Sequence, residues 1–117
     1  MKPVTVLETT PYIRAAADCL SDEERQAFID YIARNPEAGD LIQGTGGARK
    51  VRWARDGGGK SGGVRTIYYY HDQDVPLILL TVYPKSVKDN LTPGEKVAIK
   101  TAIGIIQAKI RTKRASR

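Results

Sequence analysis

The run Leu77-Ile78-Leu79-Leu80-Thr81-Val82-Tyr83 is apolar on both of the faces that a β-strand would present. Successive side chains of a strand point to opposite sides of a sheet, so a half-exposed strand alternates between apolar and polar residues. A continuous apolar run is instead typical of a strand that is covered on both sides. Residues 77–83 are therefore predicted to form a central strand, and the segments around it decide the fold class.

Two further strands are predicted on the N-terminal side of this run. Residues 49–53 are predicted to form a half-buried antiparallel strand, because alternation puts Val51 and Trp53 on one face and Lys50 and Arg52 on the other. Residues 64–70 are β-branched and aromatic, which favours a strand. The connection through residues 57–63 is rich in glycine, so the two strands are predicted to form a hairpin.

Three helices are predicted from their start signals. Thr10-Pro11 begins the first, the capping box Ser21-Asp22-Glu23-Glu24 begins the second, and Thr92-Pro93-Gly94-Glu95 begins the third. Asn35-Pro36 ends the second helix, and the short run Val4-Thr5-Val6-Leu7 favours a first strand. The order β-α-α-β-β-β-α predicts an α+β fold. It has an antiparallel sheet of about four strands, two N-terminal helices and one C-terminal helix, with the helices grouped on one side.

The composition predicts one globular domain over residues 1–117. Hydrophobic residues make up 41% and charged residues 27% of the chain, and the basic tail from about residue 111 is expected to fray. A single cysteine and a single histidine argue against a disulfide or a zinc site, and no cofactor is predicted. No apolar run is long enough to span a membrane, and the first residues lack a secretory signal, so a cytoplasmic location is expected.

The charge is divided unevenly along the chain. The formal net charge is +6, with four basic and eight acidic residues in 1–47 but fifteen basic and five acidic residues in 48–117. A strongly basic half and a pI near 9.6 are typical of nucleic-acid binding, which gains affinity by releasing counterions. The alternative is a basic surface that serves solubility alone.

The segment Asp56-Gly57-Gly58-Gly59-Lys60-Ser61-Gly62-Gly63 resembles a nucleotide-binding P-loop at first sight. That motif needs a glycine at the position occupied by Ala54, and it needs a helix to follow. A predicted strand follows instead, so a nucleotide site is not expected here. The presence of Lys60 requires another explanation.

Three basic segments are predicted to line one groove, because consecutive strands usually pair: residues 49–52, 60–65 and 83–88. Such a groove could bind a phosphodiester and also cleave it. RNA carries its own nucleophile, the 2′-hydroxyl, so cleavage needs in-line placement, charge stabilisation, a base and an acid, without a metal. Arginine suits the phosphate oxygens, and a lysine crowded by other cations suits the base. Alternatively, residues 49–52 are simply the solvated face of a strand.

Three sequence blocks carry a resemblance to a known family. They are Gly39-Asp40-x-Ile42-x-Gly44-Thr45-Gly46-Gly47-x-Arg49-Lys50-x-Arg52, then Lys60-x-Gly62-Gly63-x-Arg65-x-Ile67-Tyr68-Tyr69, and then Leu79-Leu80-Thr81-x-Tyr83-x-Lys85. In this order they resemble the HigB-like branch of the RelE toxin superfamily. The resemblance implies the toxin of a type II toxin–antitoxin system. Such a toxin is a ribosome-dependent endoribonuclease that cuts mRNA in the A site by metal-independent 2′-hydroxyl attack and so inhibits translation.

The resemblance also implies roles for individual residues. Arg65 matches the arginine that acts on the scissile phosphate, and Lys60 matches a position for substrate binding or proton transfer. Tyr83 and Lys85 match the last aromatic and cationic groups, around the acid step or base stacking, and Arg52 matches a basic position of the RNA groove. The expected catalytic residues are Arg65, Lys60, Lys85 and Tyr83, the expected RNA-binding residues are Arg49, Lys50, Arg52 and Lys88, and no metal ligand is expected.

The implied partners are the ribosome, mRNA and a cognate antitoxin, of a HigA-like helix-turn-helix type, through which operator DNA would be bound indirectly. No membrane partner is expected. Many relatives carry a tyrosine or histidine close to the C-terminus, but residues 99–117 offer no match to it, so the general acid stays open. Two alternative functions also stay open: a gyrase-targeting toxin of the same superfamily, and an RNA-binding module without catalysis.

Overall fold

A computed structural model describes residues 2–54 and 63–115 of the chain. Its eight elements build one five-stranded sheet, in the order β1-β5-β4-β3-β2, and three helices. The predicted α+β class is confirmed. The elements are β1 (Val6–Glu8), α1 (Thr10–Cys19), α2 (Asp22–Arg34), β2 (Asp40–Leu41), β3 (Ala48–Trp53), β4 (Val64–Tyr69), β5 (Leu77–Pro84) and α3 (Pro93–Ala115).

The sheet differs from the predicted one in two respects. The short strand β2 pairs with β3 and was not among the predicted strands. A strand of two residues is too short to show alternation, so its pattern carries no signal. The first strand, β1, pairs in parallel with β5, which makes the sheet mixed rather than antiparallel. The strands β3, β4 and β5 pair antiparallel, as expected for consecutive strands.

The helices lie on both faces of the sheet, so the expectation that they group on one side was wrong. The first face, which we call the α1/α2 face, packs Tyr12, Phe28 and Ile32 against strand residues that include Val51. The second face, which we call the α3 face, packs Ile103 of α3 against buried side chains of β3, β4 and β5. The strands β3, β4 and β5 each carry apolar residues on both faces, and both faces therefore need a cover.

The helix starts follow local hydrogen-bonding rules. The capping box at Ser21 is present, and so is the second one, in which the Thr92 and Glu95 side chains each accept from the other's backbone N–H. The first helix is capped by Thr9 rather than Thr10. The Thr9 hydroxyl accepts from the Tyr12 N–H at 3.3 Å and donates to the Leu79 carbonyl at 2.8 Å, which ties α1 to β5. The tail predicted to fray from about residue 111 is helical through Ala115, and fraying itself stays a prediction.

The central strand of the sheet is β4, and all six of its residues are buried, including Arg65. The run 77–83 forms β5, an interior strand next to β4, as predicted. A buried arginine in a central strand is unusual, because cations are rarely buried unless they are paired.

None of the helices in the described ranges combines the length and the apolar character needed to cross a bilayer.

Candidate nucleic-acid interface

The strand register brings side chains from three strands together on the α3 face. Arg52 lies directly opposite Arg65, and Arg65 lies directly opposite Tyr83. Residues in directly opposite positions project from the same face of a sheet. We call Lys50, Arg52, Arg65 and Tyr83 the strand site; Lys50 lies two positions before Arg52 and therefore shares its face.

Arg65 is the most buried member of the strand site, with 2% of its side chain exposed. Its Nε donates to Oδ1 of Asp89 at 3.2 Å, and its Nη1 contacts the Val64 carbonyl at 3.5 Å. The Asp89 side chain is 57% exposed, so the ion pair has one buried and one solvent-facing partner. This counterion explains how the fold tolerates a guanidinium in its central strand, since an unpaired buried charge is strongly destabilising.

Lys50 contacts the same segment as Arg65. Its Nζ donates to Oδ1 of Asn90 at 2.9 Å and to the Asp89 carbonyl at 3.3 Å. Arg52 lies next to the C-terminal residue of β3 and is exposed. The site thus combines one buried, one half-buried and one exposed cation.

Tyr83 is 6% exposed, and its hydroxyl donates to the Asp89 carbonyl at 3.4 Å. Burial raises the pKa of this phenol, with smaller contributions in the same direction from Glu95 and Asp89. The hydroxyl therefore remains protonated and can donate a hydrogen bond at neutral pH. Lys88 lies over the ring, with its Nζ 4.9 Å from the ring centroid, and it also forms an ion pair with Glu95.

Lys85 is exposed in the turn that follows β5. Its backbone N–H donates to the Gly63 carbonyl at 3.1 Å, which joins this turn to the residue just before β4. Lys85 is therefore held at the same end of the sheet as Arg52 and Arg65. Lys60 falls outside the described residues, so its predicted place beside them stays a prediction.

Arg49 is separated from the other predicted RNA-binding residues. It alternates with Lys50 and so belongs to the α1/α2 face. Its Nη1 donates to the Gly39 carbonyl at 2.7 Å and to the Glu37 carbonyl at 3.4 Å, and its Nη2 lies 3.8 Å from the Glu37 carboxylate. These contacts explain Arg49 as a residue that ties the chain after α2 to the sheet.

The residues that sequence reasoning missed are Asp89 and Asn90, which accept hydrogen bonds from the strand site. The only local signal was an acidic residue following the lysines of the turn, and such a pattern is common on protein surfaces. No group of three or more histidine, cysteine or acidic side chains is placed to hold a metal ion within residues 2–54 and 63–115.

A family model connects this geometry to known proteins. The model, described as the RelE toxin of the RelE/RelB toxin–antitoxin system, matches residues 5–115. The chain belongs to the RelE toxin family. The match spans every element of this RelE-family toxin, from β1 to α3. Members of the family pair with an antitoxin and are generally endoribonucleases.

Proposed function

We propose that this RelE-family toxin is a HigB-like, ribosome-dependent endoribonuclease that acts in the cytoplasm on mRNA in the ribosomal A site. The observation that carries the proposal is the register that sets Arg52, Arg65 and Tyr83 side by side on one face. Two cations and a phenol at one end of a sheet suit a phosphodiester, because guanidinium groups bind phosphate oxygens by charge-assisted hydrogen bonds. The family match and the three sequence blocks support the same assignment.

In the proposed reaction the RNA supplies the nucleophile. The 2′-oxygen attacks the adjacent phosphorus, a base accepts the 2′-hydroxyl proton, and the P–O5′ bond breaks as an acid protonates the leaving oxygen. The products are a 2′,3′-cyclic phosphate and a 5′-hydroxyl. Arg65 stabilises the charge of the phosphorane, and Lys50, Arg52 and Lys88 hold the flanking phosphates. Lys60, Lys85 and Tyr83 are the candidates for proton transfer and base stacking.

The proposal includes partners. The toxin is held inactive by a HigA-like helix-turn-helix antitoxin from the same operon, and that antitoxin connects the complex to operator DNA. The net charge of +6 favours binding to the ribosome, which is a polyanion.

Primer extension on mRNA bound to purified ribosomes tests the proposed activity. The wild-type protein should produce cuts only when ribosomes are present. Arg65→Gln should lower the cleavage rate by about 100-fold or more, which is the scale for losing one donor to a developing oxyanion. Arg14→Gln, which removes an exposed arginine on α1, is the control with the same charge change and should cleave like wild type.

The outcomes also separate the alternative functions. Intact mRNA together with DNA breaks in cells expressing the chain would identify a gyrase-directed toxin. Salt-sensitive RNA binding without cleavage or growth arrest would identify a non-catalytic module. Either result would overturn the proposed nuclease.

A further inference from the structure

The strand site is already occupied by part of the same chain. Arg65 donates to the Asp89 carboxylate, while Lys50 and the Tyr83 hydroxyl both donate to the Asp89 carbonyl. One side chain from each of the strands β3, β4 and β5 thus contacts a single residue in the connection between β5 and α3. These contacts do not follow from the proposed function, which needs the same donors for RNA.

The burial of Arg65 restricts how a ligand could contact it. With 2% of its side chain exposed, its guanidinium cannot meet an external phosphate unless a covering group moves. The Asp89 carboxylate accepts from the Arg65 Nε and is itself 57% exposed, so it is a solvent-facing group that occupies a donor of the buried guanidinium. Displacement of Asp89 would therefore free this Nε donor for a ligand.

We propose that Asp89 is an internal competitor for the anion site of Arg65, and that an RNA phosphate binds there by displacing the Asp89 carboxylate. This inference rests on the proposed function, because it takes Arg65 to be the phosphate-binding residue. The exchange replaces one ion pair by another. Arg65 is therefore never left as an uncompensated buried charge, in the free or in the bound state.

The residues on either side of Asp89 and Asn90 make a local displacement feasible. On the N-terminal side, Lys88 is held by its ion pair with Glu95 and by the Tyr83 ring. On the C-terminal side, Leu91 is 8% exposed and packs in the cluster under α3. Between these anchors, Asp89 and Asn90 are exposed, and their contacts with Lys50 lie at the surface. The two residues can move without unpacking the core.

RNA-binding measurements on charge-matched variants test the proposal. The probe is a fluorescein-labelled, single-stranded octanucleotide with 2′-O-methyl groups, which binds but cannot be cleaved, and anisotropy gives its affinity. Asp89→Asn and Asp18→Asn each remove one negative charge, and Asp18 is exposed on α1, which packs on the opposite face of the sheet. Asp89→Asn should bind about fivefold more tightly than Asp18→Asn, since a neutral amide competes less well for the guanidinium.

A second comparison assigns the gain to Arg65. In an Arg65→Gln background, Asp89→Asn should bind no more tightly than Asp18→Asn, because there is no guanidinium to release. If Arg65→Gln does not fold, the direct comparison of Asp89→Asn with Asp18→Asn decides alone. Asp89→Glu, which keeps the carboxylate, should bind like wild type.

Equal affinities of Asp89→Asn and Asp18→Asn would overturn the competitor role, and so would weaker binding by folded Asp89→Asn. Neither result affects the proposed nuclease, which depends on cleavage by the wild-type protein with ribosomes. Conversely, failure of that cleavage assay would reject the nuclease. The Asp89 comparison measures binding alone and would still decide whether the carboxylate competes with RNA.

Discussion

Arg52 and Arg65 lie directly opposite each other in the register of β3 and β4, so two guanidinium groups project from the same face of the sheet. Like charges in such positions destabilise a strand pair. The fold reduces the cost by pairing Arg65 with Asp89 and by exposing Arg52 to solvent. An arrangement that costs stability and contributes nothing evident to packing is expected at a binding site.

Arg52→Gln should therefore separate stability from binding. The change relieves the repulsion across the strands and should leave the free energy of unfolding unchanged or raise it by a few tenths of a kcal/mol. It should also weaken RNA binding and lower the slope of log K against log salt by about one. Urea denaturation and anisotropy titrations at several salt concentrations measure the two effects. Arg14→Gln on α1 is the control, and an equal loss of affinity in both variants would contradict the prediction.

Arg49→Gln should lower the stability of the fold and leave RNA binding unaffected beyond the change in net charge. Arg49 donates to the Gly39 and Glu37 carbonyls on the far face of the sheet, so its loss should lower the free energy of unfolding by about 1 kcal/mol. RNA affinity should fall no further than in Arg14→Gln. The same denaturation and anisotropy experiments apply. A drop in affinity as large as that of Arg52→Gln would show that Arg49 contacts RNA after all.

Gly63 should tolerate no side chain. Its φ is +73°, and a Cβ built there would lie 2.1 Å from the Trp53 carbonyl oxygen, which is fixed backbone. Gly63→Ala should thus destabilise the fold by about 3 kcal/mol or more, through strain and a backbone shift. Gly44 is the matched control, with a φ of +80° and open space around its Cβ position, so Gly44→Ala should cost about 1 kcal/mol. Similar losses in urea denaturation would rule out the steric explanation.

Tyr12 should make the fold sensitive to alkali. Its hydroxyl is buried without a hydrogen-bond partner in the part of the chain that the structure describes, and burial raises its pKa to about 12. The folded-state pKa exceeds the unfolded value of 10.0, so the stability associated with the neutral phenol is complete below pH 10 and falls as the pH rises toward 12.

Tyr12→Phe should remove about 1 kcal/mol of this loss at pH 11, while leaving stability at pH 7 unchanged or higher. Urea denaturation at pH 7 and pH 11 measures the difference. Tyr31→Phe removes a hydroxyl from a side chain that is 37% exposed and should keep the alkaline loss. The same pH dependence in Tyr12→Phe and wild type would refute this role of Tyr12.

Much of the fold was predictable because its signals are local. The capping boxes at Ser21 and Thr92, the alternation in β3 and the apolar run of β5 each involve neighbouring residues, and each was observed where it was predicted. The parallel pairing of β1 with β5 and the placement of α3 on the second face were not predicted. Both depend on how distant segments pack, and no local pattern encodes that choice.

The sequence by itself determined most of the elements and the basic character of the C-terminal half, because periodicity and composition are properties of neighbouring residues. The tertiary structure alone decided that Arg65 is buried and paired with Asp89, and that Arg49 donates to the Gly39 and Glu37 carbonyls. Burial and ion pairing depend on distances between segments that are far apart in the chain. Asp89, an ordinary surface residue by its pattern, therefore emerges as a candidate competitor for RNA only when the three strands and the turn beyond β5 are brought together.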